Sequence, residues 1–222
     1  TPERILLKFI LTSILLSMIS PSFKKFAGIA CLLIVFLSLA FYDIVFLGKT
    51  FKATTANSQA LPYGAYGQEH NKPRFIPVNG TDAPVSEEPI YEFIKQNLHR
   101  GIIPLWNPHQ ACGYALIGML EVGIFFPLNL ILYLLPNIFA WDLLILARLF
   151  FAGLFTFWLM RRLEFKEPSS FAAALVFMLS GPLVLLQYWT TNVDLLAPLL
   201  LLTLDQLIKE TNRRSIVLTA AV

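Results

Sequence analysis

The chain has 222 residues, of which 56% are hydrophobic and only 14% charged, with a net charge of +3 and a mean hydropathy of +0.65. That balance is too apolar and too poor in charge for a soluble domain of this length, so the composition reads as an integral membrane protein. The small basic surplus excludes a nucleic-acid-binding surface and instead bears on topology; the two cysteines, Cys31 and Cys112, give neither a disulfide framework nor a zinc ligand set and read as packing residues.

The first apolar stretch, Ile5–Ile19, carries Lys8 in its middle and is not followed by a small-residue cleavage site, so it reads as an interfacial or short first helix rather than a removable signal. Residues 1–25 are expected to be a cytoplasmic or interfacial segment, and residues 26–222 a membrane domain. Phe26–Leu47 is the first run long enough to cross a hydrocarbon core of about 30 Å at about 1.5 Å per residue. Ile138–Met160, Phe171–Trp189 and Val193–Ile208 follow, and a further run opens at Ser215. Because the chain starts at Thr1 and stops inside SIVLTAAV, it is expected to be the amino-terminal part of a longer protein.

Basic clusters orient these runs. Lys24 and Lys25 precede the first, Arg161, Arg162 and Lys166 separate the second from the third, and Lys209, Arg213 and Arg214 follow the fourth. The positive-inside rule places all three clusters in the cytoplasm, which leaves 48–137 and the Thr190–Asn192 turn outside. The expected fold is therefore all-α: a polytopic transmembrane helix bundle with a large outer first loop, 48–137, that carries juxtamembrane helices.

Within that loop, Lys49–Pro89 is rich in Pro, Gly, Tyr, Asn and Gln and has no sustained period, as in an extended segment. Ile90–Arg100 then reads as one amphipathic helix on the outer leaflet: Ile90, Tyr91, Ile94 and Leu98 share a side, Glu92, Lys95, Gln96 and His99 take the other, and Gly101 stops it. Gly101–Pro136 is the anomaly of the chain. It sets prolines, glycines, a Trp-Asn-Pro-His cluster and a single glutamate, Glu121, into strongly apolar sequence. Broken backbone of this kind survives at membrane depth only where protein or a wet cavity covers its polar groups. Its last part, Phe125–Leu135, spans two or three turns and reads as a juxtamembrane or re-entrant piece.

The block GIIPLWNP, the spaced Gly113, Glu121 and Gly123, and the run FFPLNLILYLLP resemble the hallmark of the YfhO-like bacterial membrane proteins. FYDIVFLGKTF upstream and RRLEF, LSG and DLLAPLLLLTLDQLI downstream follow that family's order of elements, so the resemblance covers most of residues 26–210. It implies a polytopic glycosyltransferase of the GT-C type, transferring a sugar from a polyprenyl-phosphate carrier to an envelope glycopolymer or lipid acceptor on the outer face of the membrane.

That chemistry needs a carboxylate base for the acceptor hydroxyl and positive charge or a metal near the departing phosphate. Asp43 matches by resemblance an essential acid near the first outer loop; its alternative is a helix-end aspartate solvated by headgroups. Asp82 stands ahead of the amphipathic helix where the family has an acid before its PLWNP block, although Asn79 aligns there equally well. Glu88 is a third candidate base, or else an acid that favours the positive end of the helix. Glu121 binds the acceptor, orients the loop, or sits exposed at the interface. Trp106, Asn107 and His109 would line the same cavity or, alternatively, shape the loop.

Arg148 falls near the middle of the second run, where a cation is costly; it pairs with a lipid phosphate or, preferably, with an acid from another helix. Asn192 and Asp194 complete a phosphate or metal site or simply cap the next helix. No metal-ligand spacing is present, so no cofactor is expected, with a divalent metal left open. The competing function is a non-catalytic membrane protein, either a carrier or an assembly factor for envelope polymers.

Overall fold

The computed structural model describes residues 21–51, 88–110, 112–118, 122–135, 137–185, 191–209 and 213–222. These residues are mostly helical, and the chain divides into two compact units, Thr1–Phe41 and Tyr42–Val222. The segment Ile5–Ile19 and residues 52–87, Asp82 included, lie outside the described residues.

The first unit contributes α1, Pro21–Ala40. It is apolar from Phe26 onward, and its Ser38 hydroxyl donates to the Ile34 carbonyl at 2.8 Å, the usual way a serine is satisfied inside an apolar helix. The expected run Phe26–Leu47 is not one helix, because α1 stops at Ala40 and a separate turn, α2, follows at Tyr42–Val45. Gly48, at φ +67°, then reverses the chain so that the Lys49 amide reaches the Asp43 carbonyl at 3.1 Å.

The second unit is built around α5, Asn137–Arg162, and within it Phe139–Arg162 is the one helix among the described residues long and apolar enough to cross a membrane. Its buried residues recur in pairs one turn apart: Ala140 and Trp141, Leu144 and Ile145, Arg148 and Leu149. That spacing draws a single stripe down the helix. α6 (Glu167–Met178) and α8 (Thr191–Lys209) both pack on α5, while α7 (Gly181–Leu185) and α9 (Arg213–Ala221) pack on α8. Arg162 Nε donates to Asp205 Oδ2 at 2.9 Å, and Lys209 Nζ meets Asp205 Oδ1 at 3.0 Å. The C-terminal ends of α5 and α8 therefore lie together, and two of the basic clusters share one end of the unit.

The run Phe171–Trp189 is interrupted. α6 ends at Met178 and α7 starts at Gly181. The sequence Ser180-Gly181-Pro182 explains the break, because proline lacks an amide hydrogen and glycine favours unfolded backbone. α8 in turn carries Pro198 inside the helix.

α3, Glu88–His99, starts with an acid and a proline in its first turn, both suited to a helix N-terminus. It ends in a Schellman motif: the Ile102 amide reaches the Asn97 carbonyl and the Gly101 amide the Leu98 carbonyl, both at 2.9 Å, with Gly101 at φ +74°. The apolar face expected to rest on the outer leaflet is instead inside the protein, since Ile90, Tyr91 and Ile94 belong to a core with Leu116, Val122 and Trp141. Tyr91 meets Trp141 edge-on at 5.4 Å. The apolar stripe of the helix is thereby removed from solvent by the described part of Gly101–Pro136 and by α5.

Candidate functional site

The described residues of Gly101–Pro136 form a short hairpin and, from Val122 on, an irregular turn. β1 (Trp106–Asn107) pairs antiparallel with β2 (Tyr114–Ala115), Trp106 opposite Ala115 and Asn107 opposite Tyr114. The turn between them is held from inside. Asn107, almost fully buried, accepts the His109 amide on Oδ1 at 3.0 Å and donates from Nδ2 to the Tyr114 hydroxyl at 3.1 Å, which donates onward to Gln110 Oε1 at 3.0 Å. Asn107 thus organises the loop. His109 is exposed, with its ring edge-on to Phe93 of α3 at 5.3 Å. Trp106 is also exposed and lies across Gly113: a Cβ there would come within 2.7 Å of the indole as it stands, and the φ of +98° favours glycine whatever the ring does.

Residues 122–134 then turn through a 3₁₀ helix, Pro127–Asn129, into α4, Leu130–Leu134. Three side chains take up the carbonyls that this irregular backbone leaves over. Tyr91 donates to the Val122 carbonyl at 3.0 Å, Tyr133 to that of Ile124 at 3.2 Å, and Asn129 Nδ2 to those of Val122 and Gly123 at 3.1 and 2.8 Å. Burial, and secondarily the neighbouring Tyr91, pushes the Tyr133 phenol far above its ordinary range, so its proton stays on to make that bond.

Asn129 is the joint of the arrangement. Fully buried, it presents Oδ1 to Arg148 Nη2 at 3.4 Å. Arg148 lies about three turns into α5 and is itself 1% exposed. Gly123, at φ +55°, brings in a third polar side chain: a Cβ there would stand 3.4 Å from Asn192 Nδ2 and 3.6 Å from Asn129 Nδ2. Asn192, in the first turn of α8, is buried, and its Oδ1 has no hydrogen-bond partner among the described residues. Arg148, Asn129 and Asn192 therefore form a buried polar cluster where the turn at 122–134 meets α5 and α8. An unmatched buried acceptor costs roughly 1–3 kcal/mol, so the cluster is suited to receive a group that donates a hydrogen bond.

The other expected residues lie elsewhere. Asp43, on α2, accepts a 2.6 Å hydrogen bond from Lys49 Nζ in a half-exposed ion pair. Glu88 is buried at the start of α3, and Asp194 occupies the first turn of α8. Asp82 and Glu121 fall outside the described residues. Cys31 and Cys112, expected as packing residues, are both exposed. Among the described residues no three His, Cys, Asp or Glu side chains gather as a metal site.

Two residues of consequence were missed. Asn129 is the single amide side chain in Phe125–Leu135, and an amide in so apolar a run demands a partner. Asp142 is an acid inside the run Ile138–Met160; its Oδ1 accepts the Thr50 hydroxyl at 2.9 Å and the Phe51 amide at 2.8 Å, pinning residues 50 and 51 to α5. Compared with family models, curated proteins and solved structures, the chain matches none.

Proposed function

We propose that the protein is a polytopic membrane glycosyltransferase resembling the YfhO-like, GT-C type proteins, which transfers a sugar from a polyprenyl-phosphate carrier to an envelope acceptor on the outer face. The observation that supports this best is the buried Arg148, set in the longest apolar helix and directed by Asn129 toward the broken backbone that carries the resemblance. In the transfer, the acceptor oxygen bonds to the anomeric carbon, the bond from that carbon to the phosphate oxygen breaks, and the acceptor proton passes to a carboxylate. Asp43 and Asp82 are the proposed bases. The leaving polyprenyl phosphate gains negative charge, and a guanidinium in a dry site stabilises such charge more than it would in water. Asn192 would accept a hydrogen bond from a sugar hydroxyl. Multi-pass topology with the outer interval 48–137 outside the cell belongs to the same proposal; the shared Arg162, Asp205 and Lys209 end supports it.

The test uses the full-length protein in proteoliposomes with a radiolabelled polyprenyl-phosphate sugar and an envelope acceptor fraction. Acceptor-dependent release of polyprenyl phosphate is expected, with loss in Asp43→Asn or Asp82→Asn. If release never depends on acceptor and neither substitution has an effect, the transferase reading fails.

A carrier is the second reading, and the Gly181-Pro182 break with Asn192 at a helix start favours it, since carriers place polar residues at interrupted helices. A carrier would move the lipid-linked sugar between leaflets with the sugar–phosphate bond intact in the same proteoliposomes.

A further inference from the structure

The apolar face of α3 is consumed by the protein core, so whatever holds the outer segment against a membrane must be another surface. Ile102, Ile103, Leu105 and Trp106 are each more than half exposed, while Pro104 and Asn107 between and after them are buried. Four large apolar side chains presented by one five-residue strip mark an interaction surface rather than a solvated loop.

Its position follows from how α3 is registered on α4. Lys95 Nζ donates to the Leu135 carbonyl at 2.6 Å, and one turn later His99 Nε2 donates to the Tyr133 carbonyl at 2.9 Å. Advancing along α3 therefore means moving back along α4, away from the start of α5 and toward Asn129, which meets Arg148 inside the apolar helix. The chain leaves α3 at Arg100 travelling toward the level of the span, and the strip 102–106 comes next. Exposed apolar side chains also continue along the chain into that helix through Leu130, Leu134, Phe139 and Leu143.

We propose that residues 100–106 are a lipid-inserted wedge, with Ile102, Ile103, Leu105 and Trp106 among the outer-leaflet acyl chains and the exposed Arg100 at the phosphate level. An exposed cation beside an apolar strip ending in tryptophan suits the boundary between headgroup and acyl chain. Gly113, having no Cβ, leaves room for the indole to lie beside the hairpin at the end of the strip. The proposal rests on the reading of α5 as a membrane span.

The experiment puts the full chain, with Cys31→Ser and Cys112→Ser, into vesicles of phosphatidylcholine and phosphatidylglycerol and attaches a nitroxide in turn at Ile103→Cys, Leu105→Cys, His109→Cys and Leu143→Cys. Collision with oxygen should exceed collision with a water-soluble nickel chelate at 103, 105 and 143, and the ratio should reverse at 109. Nickel-dominated collision at 103 and 105 with oxygen-dominated collision at 143 overturns the wedge and leaves the span standing. Nickel-dominated collision at 143 overturns the span and the wedge with it. Labels at 103 and 105 closed to both reagents mean that protein covers the strip, which also overturns the proposal. A second measurement needs no label: quenching of tryptophan fluorescence by lipids brominated near the headgroup should fall in Trp106→Phe, and unchanged quenching counts against insertion.

Discussion

Arg148 Nη2 stands 3.4 Å from Asn129 Oδ1, so the middle of the longest apolar helix among the described residues is tied to the buried amide of the turn at 122–134. The contact is long for a hydrogen bond. Its weight comes from the burial of both partners, where an amide oxygen facing a guanidinium has little solvent to replace it.

Asn129→Ala should therefore destabilise the protein. The Val122 and Gly123 carbonyls keep second donors in the Tyr91 hydroxyl and the Phe126 amide, so the larger part of the loss falls on Arg148. The expected cost is about 1–3 kcal/mol, read from denaturation in detergent micelles. Adding Arg148→Met to Asn129→Ala should cost less than the two single substitutions summed, because part of each penalty is the same lost contact. Full additivity would show that the two side chains do not communicate.

What the sequence discloses here is the helix, and what it hides is the contact. The apolar run Ile138–Met160, closed by basic residues, anticipates α5 to within two residues at each end, and the spaced apolar stripe of Ile90–Arg100, stopped by Gly101, anticipates α3 equally well. Phe171–Trp189 reads as one run only because hydropathy averages over Gly181 and Pro182, which terminate helices without lowering apolarity enough to register. The cluster is harder still. Asn129, Arg148 and Asn192 are far apart in the chain, and only the turn at Gly123 brings two amides to one place; a positive φ at glycine leaves no mark in composition. The burial of α3's apolar face is invisible for a related reason, since a stripe of Ile and Tyr is the same whether it meets lipid or protein.

Gly113→Ala and Gly118→Ala separate backbone need from mere glycine content. Gly113 sits at φ +98° with the Trp106 indole where a Cβ would go, whereas Gly118 has open space and no unusual φ. Trp106 is exposed and can swing aside, so the strained backbone sets the cost at Gly113, roughly 1–3 kcal/mol. Gly118→Ala should stay within about 0.5 kcal/mol. Tryptophan emission should shift in the first variant and not in the second.

Glu164→Gly should stabilise the turn after α5. The Phe165 amide reaches the Met160 carbonyl at 3.1 Å and the Glu164 amide that of Arg161 at 3.2 Å, a Schellman motif with Glu164 at φ +65° in the place glycine usually fills. A left-handed non-glycine residue costs roughly 1–2 kcal/mol. Glycine gives back about 0.5–1 kcal/mol through its freer unfolded state, so the net gain should be positive and below about 1.5 kcal/mol. A lowered melting temperature would contradict this balance.

Multi-pass topology makes an accessibility prediction. With the two native cysteines replaced by serine, Leu163→Cys lies in the exposed turn after α5 and His109→Cys in the exposed hairpin. A membrane-impermeant maleimide applied to intact cells should label 109 at once and label 163 only after permeabilisation. Labelling of both from outside would break the proposed alternation of spans.

Asp142 supplies the last test, because one oxygen of its carboxylate holds both the Thr50 hydroxyl and the Phe51 amide. This latch joins the beginning of the outer interval to the helix that follows its end. Asp142→Ala removes the acceptor, and the Phe51 amide should then exchange its hydrogen faster by at least tenfold, as expected for a charge-assisted bond of about 1.5–3 kcal/mol. Asp142→Asn keeps an oxygen in place but loses the charge, so its exchange rate should fall between those of the wild type and the alanine variant. The ordering of the three rates carries the argument: if asparagine behaves like alanine, geometry rather than charge governs the latch, and if alanine behaves like the wild type, the two hydrogen bonds do not hold this segment at all.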